Sequence, residues 1–218
     1  MTAETLVVVS TTDALDAAFS GIGCWLLQSD GRTKPLAVDR WQQPPDLDDH
    51  TLFLAADGES TLDIGCGPGR LAAALTARGV PTLGIDISSE AVRQARSRGA
   101  RAIQGDIFAG ITDIGRWDRA LLADGNIGIG GDPVTLLHRV SELLRPGGSV
   151  VAEVARHGVG LVTEHLRLQV GSDLTPRFHW SIVGADAIED VADEAGFDVE
   201  QIVTSGDRRA AVLRRRAA

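Results

Sequence analysis

The stretch Thr61-Leu62-Asp63-Ile64-Gly65-Cys66-Gly67-Pro68-Gly69-Arg70 decides the fold of this chain. Its apolar start predicts a buried strand, and the alanine-rich residues 71–78 predict the helix that follows. Between them, glycine stands at every second position, so the turn carries very little side-chain bulk. A turn of this kind lets a ligand approach the backbone closely. The stretch therefore predicts a strand, a ligand-binding turn and a helix.

The spacing of the glycines distinguishes between two kinds of ligand. Turns that bind the pyrophosphate of a dinucleotide have the spacing G-x-G-x-x-G, with the third glycine one residue later than here. In this chain an acid precedes G-x-G-x-G, which resembles the first motif, E/D-x-G-x-G-x-G, of the class I S-adenosylmethionine (SAM) dependent methyltransferases. The resemblance implies a SAM site that includes Asp63, Gly65, Cys66, Gly67 and Gly69. Glycines at a strand end also form tight turns without a ligand, and the motif alone leaves that alternative open.

Length and composition fit one catalytic domain acting on a small molecule. The 218 residues can bury a sizeable core, and 44% of them are apolar, as in ordinary globular proteins. The 30 acidic and 21 basic residues give a net charge of -9, which opposes binding to nucleic acid. No apolar run approaches the roughly 18 residues that cross a bilayer, and no secretory signal is apparent. We therefore expect a cytoplasmic monomer or homodimer that binds neither nucleic acid nor membrane.

The two cysteines, Cys24 and Cys66, are typical of a reducing compartment. They do not form a cluster with metal-ligand spacing, so we expect no bound metal.

Strands and helices alternate from residue 61 onward. Strands are predicted at residues 61–65, 81–86, 100–105, 117–123 and 149–154, and helices at 70–78, 89–98 and 133–144. This alternation predicts an α/β fold with a doubly wound, Rossmann-like, mostly parallel sheet. A helix at 184–195 and a closing pair of strands at 197–204 and 209–213 follow, and the resemblance implies that this pair is an antiparallel C-terminal edge hairpin. Ligands of such sheets bind beyond the carboxyl ends of the strands.

Acidic residues follow the second and third strands at this edge. Asp86 lies about 20 residues beyond the glycine turn, where a carboxylate can accept hydrogen bonds from both ribose hydroxyls. Alternatively, Asp86 only caps the next helix together with Ser88. The resemblance places Ile87 beside the cofactor, Asp106 at the exocyclic amine of adenine and Ile107 against the adenine ring.

The fourth strand leads into a loop of small residues that begins with Asp124 and Gly125. Such a loop would let the methionine end of SAM and the acceptor approach the backbone. Asp124 is the acid best placed to reach the acceptor or the ammonium group of the cofactor. Relatives that methylate nucleobases or amino groups carry N/D-P-P-Y/F here, and this chain does not, which argues against a nucleobase acceptor.

Residues 1–57 are predicted to form an N-terminal arm or lid, ahead of a SAM-binding core at 58–218. The arm is expected to contain strands at 6–9, 24–27 and 36–38, the latter two joined at Asp30-Gly31, and helices at 13–19 and 46–56. Thr12 or Asp13 is expected to cap the first helix. Trp41 either covers the site or packs against the edge of the core.

An insertion is predicted at about residues 156–183, after the fifth strand. Its strands at 161–170 and 177–183 form a hairpin that overhangs the site and contributes the side chains Arg167, Arg177, Phe178, His179 and Trp180. Aromatic and basic groups suit a small organic acceptor, although the aromatic ones also suit packing against the core. Besides Asp124, the catalytic candidates are His157 and His179, either of which could act as a base or simply lie at the surface.

The family resemblance implies an activity. A SAM-dependent methyltransferase moves a methyl group to an oxygen or nitrogen atom of a small molecule by in-line displacement, and leaves S-adenosyl-L-homocysteine (SAH). Two alternatives remain from the sequence: a non-catalytic module that binds SAM or a nucleotide, and an NAD(P)-dependent oxidoreductase.

Overall fold

A computed structural model describes residues 8–55, 59–109, 111 and 115–217. The chain begins with helix α1 (Thr11–Phe19), strands β1 (Cys24–Leu27) and β2 (Thr33–Pro35), and helices α2 (Val38–Gln42) and α3 (Leu47–Leu52). The next elements are β3 (Thr61–Ile64), α4 (Arg70–Ala77), β4 (Thr82–Asp86), α5 (Ser89–Ser97), β5 (Ala102–Gln104), β6 (Trp117–Leu122), a 3₁₀ turn (Asn126–Gly128), α6 (Pro133–Leu143) and β7 (Leu144–Val154). The last are β8 (Leu161–Val170), β9 (Asp173–Leu174), β10 (Phe178–Val183), α7 (Ile188–Glu194), β11 (Phe197–Ser205) and β12 (Arg208–Arg215). Within these residues, no helix has the length and apolarity to cross a membrane.

The main sheet has seven strands in the order β11-β12-β7-β6-β3-β4-β5. The five strands from β7 to β5 are parallel, whereas β12 pairs antiparallel with β7 and β11 antiparallel with β12. Every residue of the central strand β3 is buried, because helices cover both faces of a parallel sheet. The predicted Rossmann-like sheet with an antiparallel C-terminal edge hairpin is confirmed.

A second, five-stranded sheet combines two hairpins that are far apart in the sequence. Its order is β10-β8-β1-β2, all antiparallel, and β9 pairs with β8. The register between β1 and β8 runs from Cys24 opposite Val170 to Leu27 opposite Arg167. Helix α1 packs its alanines against this sheet. The N-terminal hairpin and the predicted insertion thus share one sheet, while the predicted domain boundary at residues 57 and 58 stays a prediction.

Three local predictions for the N-terminal segment are wrong. Helix α1 is capped by Ser10, whose hydroxyl accepts a hydrogen bond from the backbone N–H of Asp13 at 3.0 Å. The second hairpin strand is the exposed Thr33–Pro35 and not residues 36–38, because the carbonyl of Arg32 already accepts a hydrogen bond from the N–H of Gln28 and closes the turn. Helix α3 ends at Leu52, and the last residue predicted for it lies outside the described residues.

The remaining prediction there concerns a strand at residues 6–9. Residues 6 and 7 lie outside the described part of the chain, and Val8 forms an isolated parallel bridge with Leu174.

Gly69 determines how closely α4 and α5 approach each other. Its φ is +80°, and a Cβ atom added to it would lie 2.6 Å from the Cβ and 2.8 Å from the Cα of Ala95 on α5. Gly79, at the other end of α4, has the same φ of +80° but no heavy atom within 4 Å of an added Cβ. The same substitution at these two glycines therefore separates the free-energy cost of packing from the cost of backbone strain.

We expect Gly69→Ala to lower the free energy of unfolding by about 1–3 kcal/mol more than Gly79→Ala does, because only the first change forces two helices apart. Both changes place alanine at a positive φ, so that common loss cancels in the comparison. Urea denaturation followed by circular dichroism measures both values. Equal losses in the two variants would show that the contact with Ala95 relaxes without cost.

Candidate active site

The glycines of the turn after β3 have different surroundings. A Cβ on Gly65 would meet the side-chain amide of Asn126 at 2.6 Å, and this amide donates hydrogen bonds to the carbonyls of Ile64 (2.8 Å) and Gly65 (3.0 Å). Gly67, at φ +52°, has a single heavy atom within 4 Å of an added Cβ, Cζ of Phe19 at 3.9 Å. Of the motif glycines, Gly67 is therefore the one that leaves room for a ligand beside the backbone.

Asp86, at the end of β4, is joined directly to this turn. One carboxylate oxygen accepts a hydrogen bond from the N–H of Gly67 at 2.8 Å, and the other accepts one from the N–H of Ser88 at 2.8 Å. The hydroxyl of Ser88 itself caps α5, since it accepts a hydrogen bond from Ala91. Burial raises the pKa of Asp86 in spite of the two backbone donors. A carboxylate has about four acceptor positions, so Asp86 retains acceptor capacity for a ligand.

Asp63 lies beneath the turn and is only 2% exposed. Burial raises its pKa to about 7, and the charge of Asp124 contributes in the same direction. The backbone N–H of Ala72 on α4 acts in the opposite direction and lowers this pKa, but burial has the larger effect. In the described part of the chain, no basic side chain forms an ion pair with it. Asp63 is therefore a buried acid without a counter-charge.

Asp124 follows β6 and is the single non-glycine residue with a positive φ, +52°, among the described residues. Its N–H donates to Oε2 of Glu153 at 2.7 Å. Its Oδ2 lies 2.5 Å from Nη2 of Arg70, and its Oδ1 lies 3.2 Å from Nη2 of Arg208. Backbone and side chain of Asp124 are thus both held, which maintains a backbone conformation that costs about 1–3 kcal/mol.

Arg208 and Asp49 extend this contact into a buried charge network. Arg208, at the start of β12, donates two hydrogen bonds to Glu153 on β7, at 2.9 and 2.8 Å, and one to Asp49 on α3 at 2.7 Å. The second oxygen of Asp49 pairs with Arg70, the first residue of α4. Asp49 is fully buried and Arg70 is 6% exposed. The charge network of Asp49, Arg70, Asp124, Glu153 and Arg208 therefore links the start of α4 and the neighbouring ends of β6, β7 and β12 to the N-terminal segment.

A cavity of about 250 Å³ opens beside this network. It lies between the ends of β6 and β7 and the strand β10 of the second sheet. The lining residues are Asp124, Gly125, Ile127, Glu153, Val154, Ala155, Trp180, Ser181, Ile182 and Val183. The insertion thus reaches the cavity through β10, and of the side chains that were predicted to contribute to the site, Trp180 lines it. The predicted partners Arg167, Arg177 and Phe178 are not among the lining residues, and Phe178 packs with α1.

The two histidine candidates lie outside this cavity in the described structure. His157 is exposed just past β7. His179 is also exposed, and its ring meets the ring of His165 edge-on with a centroid distance of 4.4 Å. Their roles as bases stay predictions.

The residues predicted to bind adenine differ in exposure. Asp106 is exposed and accepts a hydrogen bond from the N–H of Phe108 at 3.0 Å. Ile107 is 4% exposed and belongs to the main hydrophobic core, whereas Phe108 is 39% exposed and Ile87 is half-buried. Phe108 therefore offers more apolar surface to a ring than Ile107 does.

Cys66 points away from open space. A Cβ on Gly84 of β4 would lie 2.6 Å from the Cys66 sulfur, so the thiol fills the gap that this glycine leaves in the sheet. Burial raises the pKa of the thiol, which keeps it protonated and unreactive.

Helix α1 contacts both the start of α5 and the glycine turn. The carboxylate of Asp16 accepts hydrogen bonds from the hydroxyls of Ser88 (2.5 Å) and Ser89 (2.9 Å) at the beginning of α5. Phe19, at the end of α1, lies above Gly67 and contacts the ring of Trp41 at a centroid distance of 6.1 Å. Trp41 therefore packs against the residue that lies above Gly67, and its role as a cover of the site stays a prediction.

Sequence reasoning missed four members of the charge network. Two of them had a signal, because Glu153 interrupts an otherwise apolar strand and Arg70 opens an alanine-rich helix. Charged residues at such positions are rarely buried unless they are paired. Asp49 and Arg208 lie in polar surroundings in the sequence, and nothing there distinguishes them from surface residues.

We expect Arg208→Met to lower the free energy of unfolding by about 3–5 kcal/mol, because it leaves Glu153 without its paired cation. Arg214→Met is the matched control: Arg214 lies on the same strand and forms a comparable two-point contact with Glu200, but at the surface. Its loss should cost about 0–1 kcal/mol. Urea denaturation of both variants measures the difference, and similar losses would mean that the charge network adds nothing beyond a surface ion pair.

Asp63 makes folding stability depend on pH. Since its pKa is about 7 in the folded chain against a usual 3.8, the folded state holds the proton more tightly, and stability falls as pH rises between these values. In the variant Asp63→Asn, the side chain at this position is uncharged over the whole pH range. We expect this variant to be about 2–4 kcal/mol more stable than the wild type near pH 8 and equally stable below about pH 4.

Urea denaturation across this pH range measures the effect, with Asp190→Asn, an exposed acid of α7, as the control. A stability difference that does not change with pH would show that Asp63 ionises normally.

Comparison with known proteins places this site in a family. A family model described as a methyltransferase domain matches residues 39–202. O-methyltransferase cnsE of Penicillium expansum is 28% identical over 204 residues, which cover 87% of this chain and 70% of that protein. An uncharacterized 37.1 kDa protein in transposon TN4556 of Streptomyces fradiae is 40% identical over 111 residues, 44% of this chain and 30% of that protein. The match thus spans less than a third of the Streptomyces protein.

The fold has a counterpart among solved structures. The SAM-dependent methyltransferase from Bacteroides fragilis, solved in complex with SAH, superposes with a TM-score of 0.77 at 22% identity, over 97% of this chain and 98% of that chain. At this identity, the likeness concerns the fold alone. Together with the family model, it confirms the resemblance inferred from the glycine turn: the chain belongs to the methyltransferase domain family, of the class I SAM-dependent type.

Proposed function

We propose that this chain transfers the methyl group of SAM to an oxygen or nitrogen atom of a small molecule and releases SAH. The observation that carries the proposal is the hydrogen bond from the N–H of Gly67 to Asp86, within a methyltransferase domain. It joins a bare backbone turn to a carboxylate one strand away, and these two features suit an adenosine: the turn accommodates close approach, and the carboxylate accepts hydrogen bonds from ribose hydroxyls.

The residues of the site fit the cofactor. Gly67 has a single atom, Cζ of Phe19, within 4 Å of the position that a Cβ would take, and Asp86 retains acceptor capacity. Asp63 is a buried acid without a counter-charge, which suits a cationic ligand. Bound SAM supplies a methyl group on a positively charged sulfur, which is already an activated leaving group. The cofactor residues of the proposal are Asp63, Gly65, Cys66, Gly67, Gly69, Asp86, Ile87, Asp106, Ile107, Asp124 and Gly125.

The cavity beside Asp124 is the proposed acceptor site. Its volume of about 250 Å³ suits a small molecule, and Trp180 and Ile182 provide apolar contact on the side of the second sheet. No basic side chain is among its lining residues in the described structure, while Asp124 and Glu153 are. Because Arg70 and Arg208 already pair with these two acids, the lining carries little net charge and supports a neutral acceptor over a carboxylate or phosphate. The name of the relative cnsE supports an oxygen acceptor.

Asp124 is proposed to orient its ligand and not to remove a proton, because both of its carboxylate oxygens already contact guanidinium groups. The main contribution of the chain is then to hold the acceptor in line and to exclude water, and such alignment can account for about 7–11 kcal/mol of a reaction barrier. A hydroxyl acceptor would also benefit from a general base, for which His157 and His179 remain the candidates.

Calorimetric titration of the full chain with SAM, SAH and NAD tests the cofactor assignment. We expect SAM and SAH to bind and NAD not to bind. We further expect Asp86→Asn to weaken SAH binding at least about tenfold, since it removes a charged acceptor of the ribose hydroxyls. Asp132→Asn is the matched control, because Asp132 also accepts a hydrogen bond from a backbone N–H, at the start of α6.

Unchanged SAH affinity in Asp86→Asn would contradict the ribose assignment. Preferential binding of NAD would favour an oxidoreductase, and SAM binding without turnover over a broad panel of acceptors would favour a regulatory module.

A further inference from the structure

The carboxylates around the glycine turn differ in how their charge is balanced. Asp124 contacts the guanidinium groups of Arg70 and Arg208. Asp86 accepts two backbone hydrogen bonds at the start of α5, where the helix dipole also favours a negative charge. Asp63 is only 2% exposed, and the backbone N–H of Ala72 is the neighbouring group that favours its ionised form. It is the acid of the site with the least compensation.

The groups around Asp63 do not supply the missing charge. Asp86 faces it from β4 and Asp124 from the end of β6, and both charges disfavour its ionised form. The Cys66 thiol of the turn is neutral, because burial raises its pKa. The cation of α4, Arg70, is engaged by Asp49 and Asp124. The interior below the turn is therefore short of positive charge when Asp63 is ionised.

We propose that Asp63 enables the cofactor site to distinguish the methyl donor from the product by charge. The inference rests on the proposed function, since it requires that SAM and SAH bind at this turn. SAM carries a sulfonium, an ammonium and a carboxylate, and so has a net charge of one positive unit. SAH lacks the sulfonium charge and is neutral overall. An uncompensated acid below the turn favours the first ligand and facilitates release of the second.

The discrimination depends on the proton of Asp63. Burial raises the pKa of Asp63 to about 7, so below this pH the acid is mostly neutral and favours neither ligand. Above it the acid is ionised and attracts the donor more strongly. A cationic ligand that binds near neutral pH therefore expels the proton, whereas the product expels less of it.

Calorimetric titration of the full chain with SAM and with SAH at about pH 6 and about pH 8 tests the proposal. The ratio of the SAH dissociation constant to the SAM dissociation constant is expected to rise about tenfold over this range in the wild type. In Asp63→Asn the ratio is expected to change much less. The variant also serves as the control for titration of the ligands' own amino groups, because these titrate in both proteins.

A second measurement uses the wild type alone and does not depend on the folding of a variant. Titrations near pH 7 in phosphate and in Tris buffer report the protons released on binding, because the two buffers differ in ionisation enthalpy. More protons are expected to leave with SAM than with SAH.

Equal proton release, or an affinity ratio that does not change with pH, overturns the role of Asp63 while the proposed function stands. Failure of both ligands to bind at either pH overturns the proposed function, and the inference with it.

Discussion

The buried guanidinium group of Arg70 lies where the glycine turn, the parallel sheet and the N-terminal helices meet. It is the first residue after Gly69, and it contacts both the fully buried Asp49 of α3 and the site residue Asp124. Removing such charges from water costs several kcal/mol for each ion, and only close, complete pairing offsets the cost. The arrangement is therefore favourable only when all of these elements are in place, which makes the site and the N-terminal segment depend on each other.

The second sheet extends this dependence to the other side of the site. Strand β1 of the N-terminal hairpin pairs with β8, and β10 on the far side of β8 places Trp180 at the cavity. Helix α1 packs on the same sheet through Ala14 and Ala18, and its Asp16 reaches the start of α5 next to Asp86. The cavity and the glycine turn are thus covered by one continuous structure, whose strands come from the N-terminal hairpin and from the insertion after β7.

Sequence patterns correctly predicted those parts of the structure in which the pattern of neighbouring residues is enough to specify the element. Residues 61–154 alternate between short, mostly apolar strand segments and helical segments, and the spacing from Gly67 to Asp86 follows from one helix and one strand, so the parallel sheet and the turn could be anticipated. Hydrophobic periodicity shows which face of a strand is buried, but it does not identify the neighbouring strand. For this reason the pairing of β1 with β8 was not predicted. The polar strand Thr33–Pro35 was missed because it is fully exposed and carries no apolar signal.

The same reasoning explains why the glycine turn was predicted and the charges around it were not. A glycine motif is local, because its function depends on the backbone of a few consecutive residues. The charge network joins Asp49, Glu153 and Arg208, whose positions become neighbours only after β12 has paired with β7. Since Arg70 is occupied by Asp49 and Asp124, Asp63 is left without a counter-charge although this guanidinium group belongs to α4, the helix that follows the turn. The ion pairs of Arg70 with residues far away in the sequence therefore determine the charge around the glycine turn. The interior beneath the turn is acidic because this nearby cation pairs with Asp49 and Asp124 and not with Asp63.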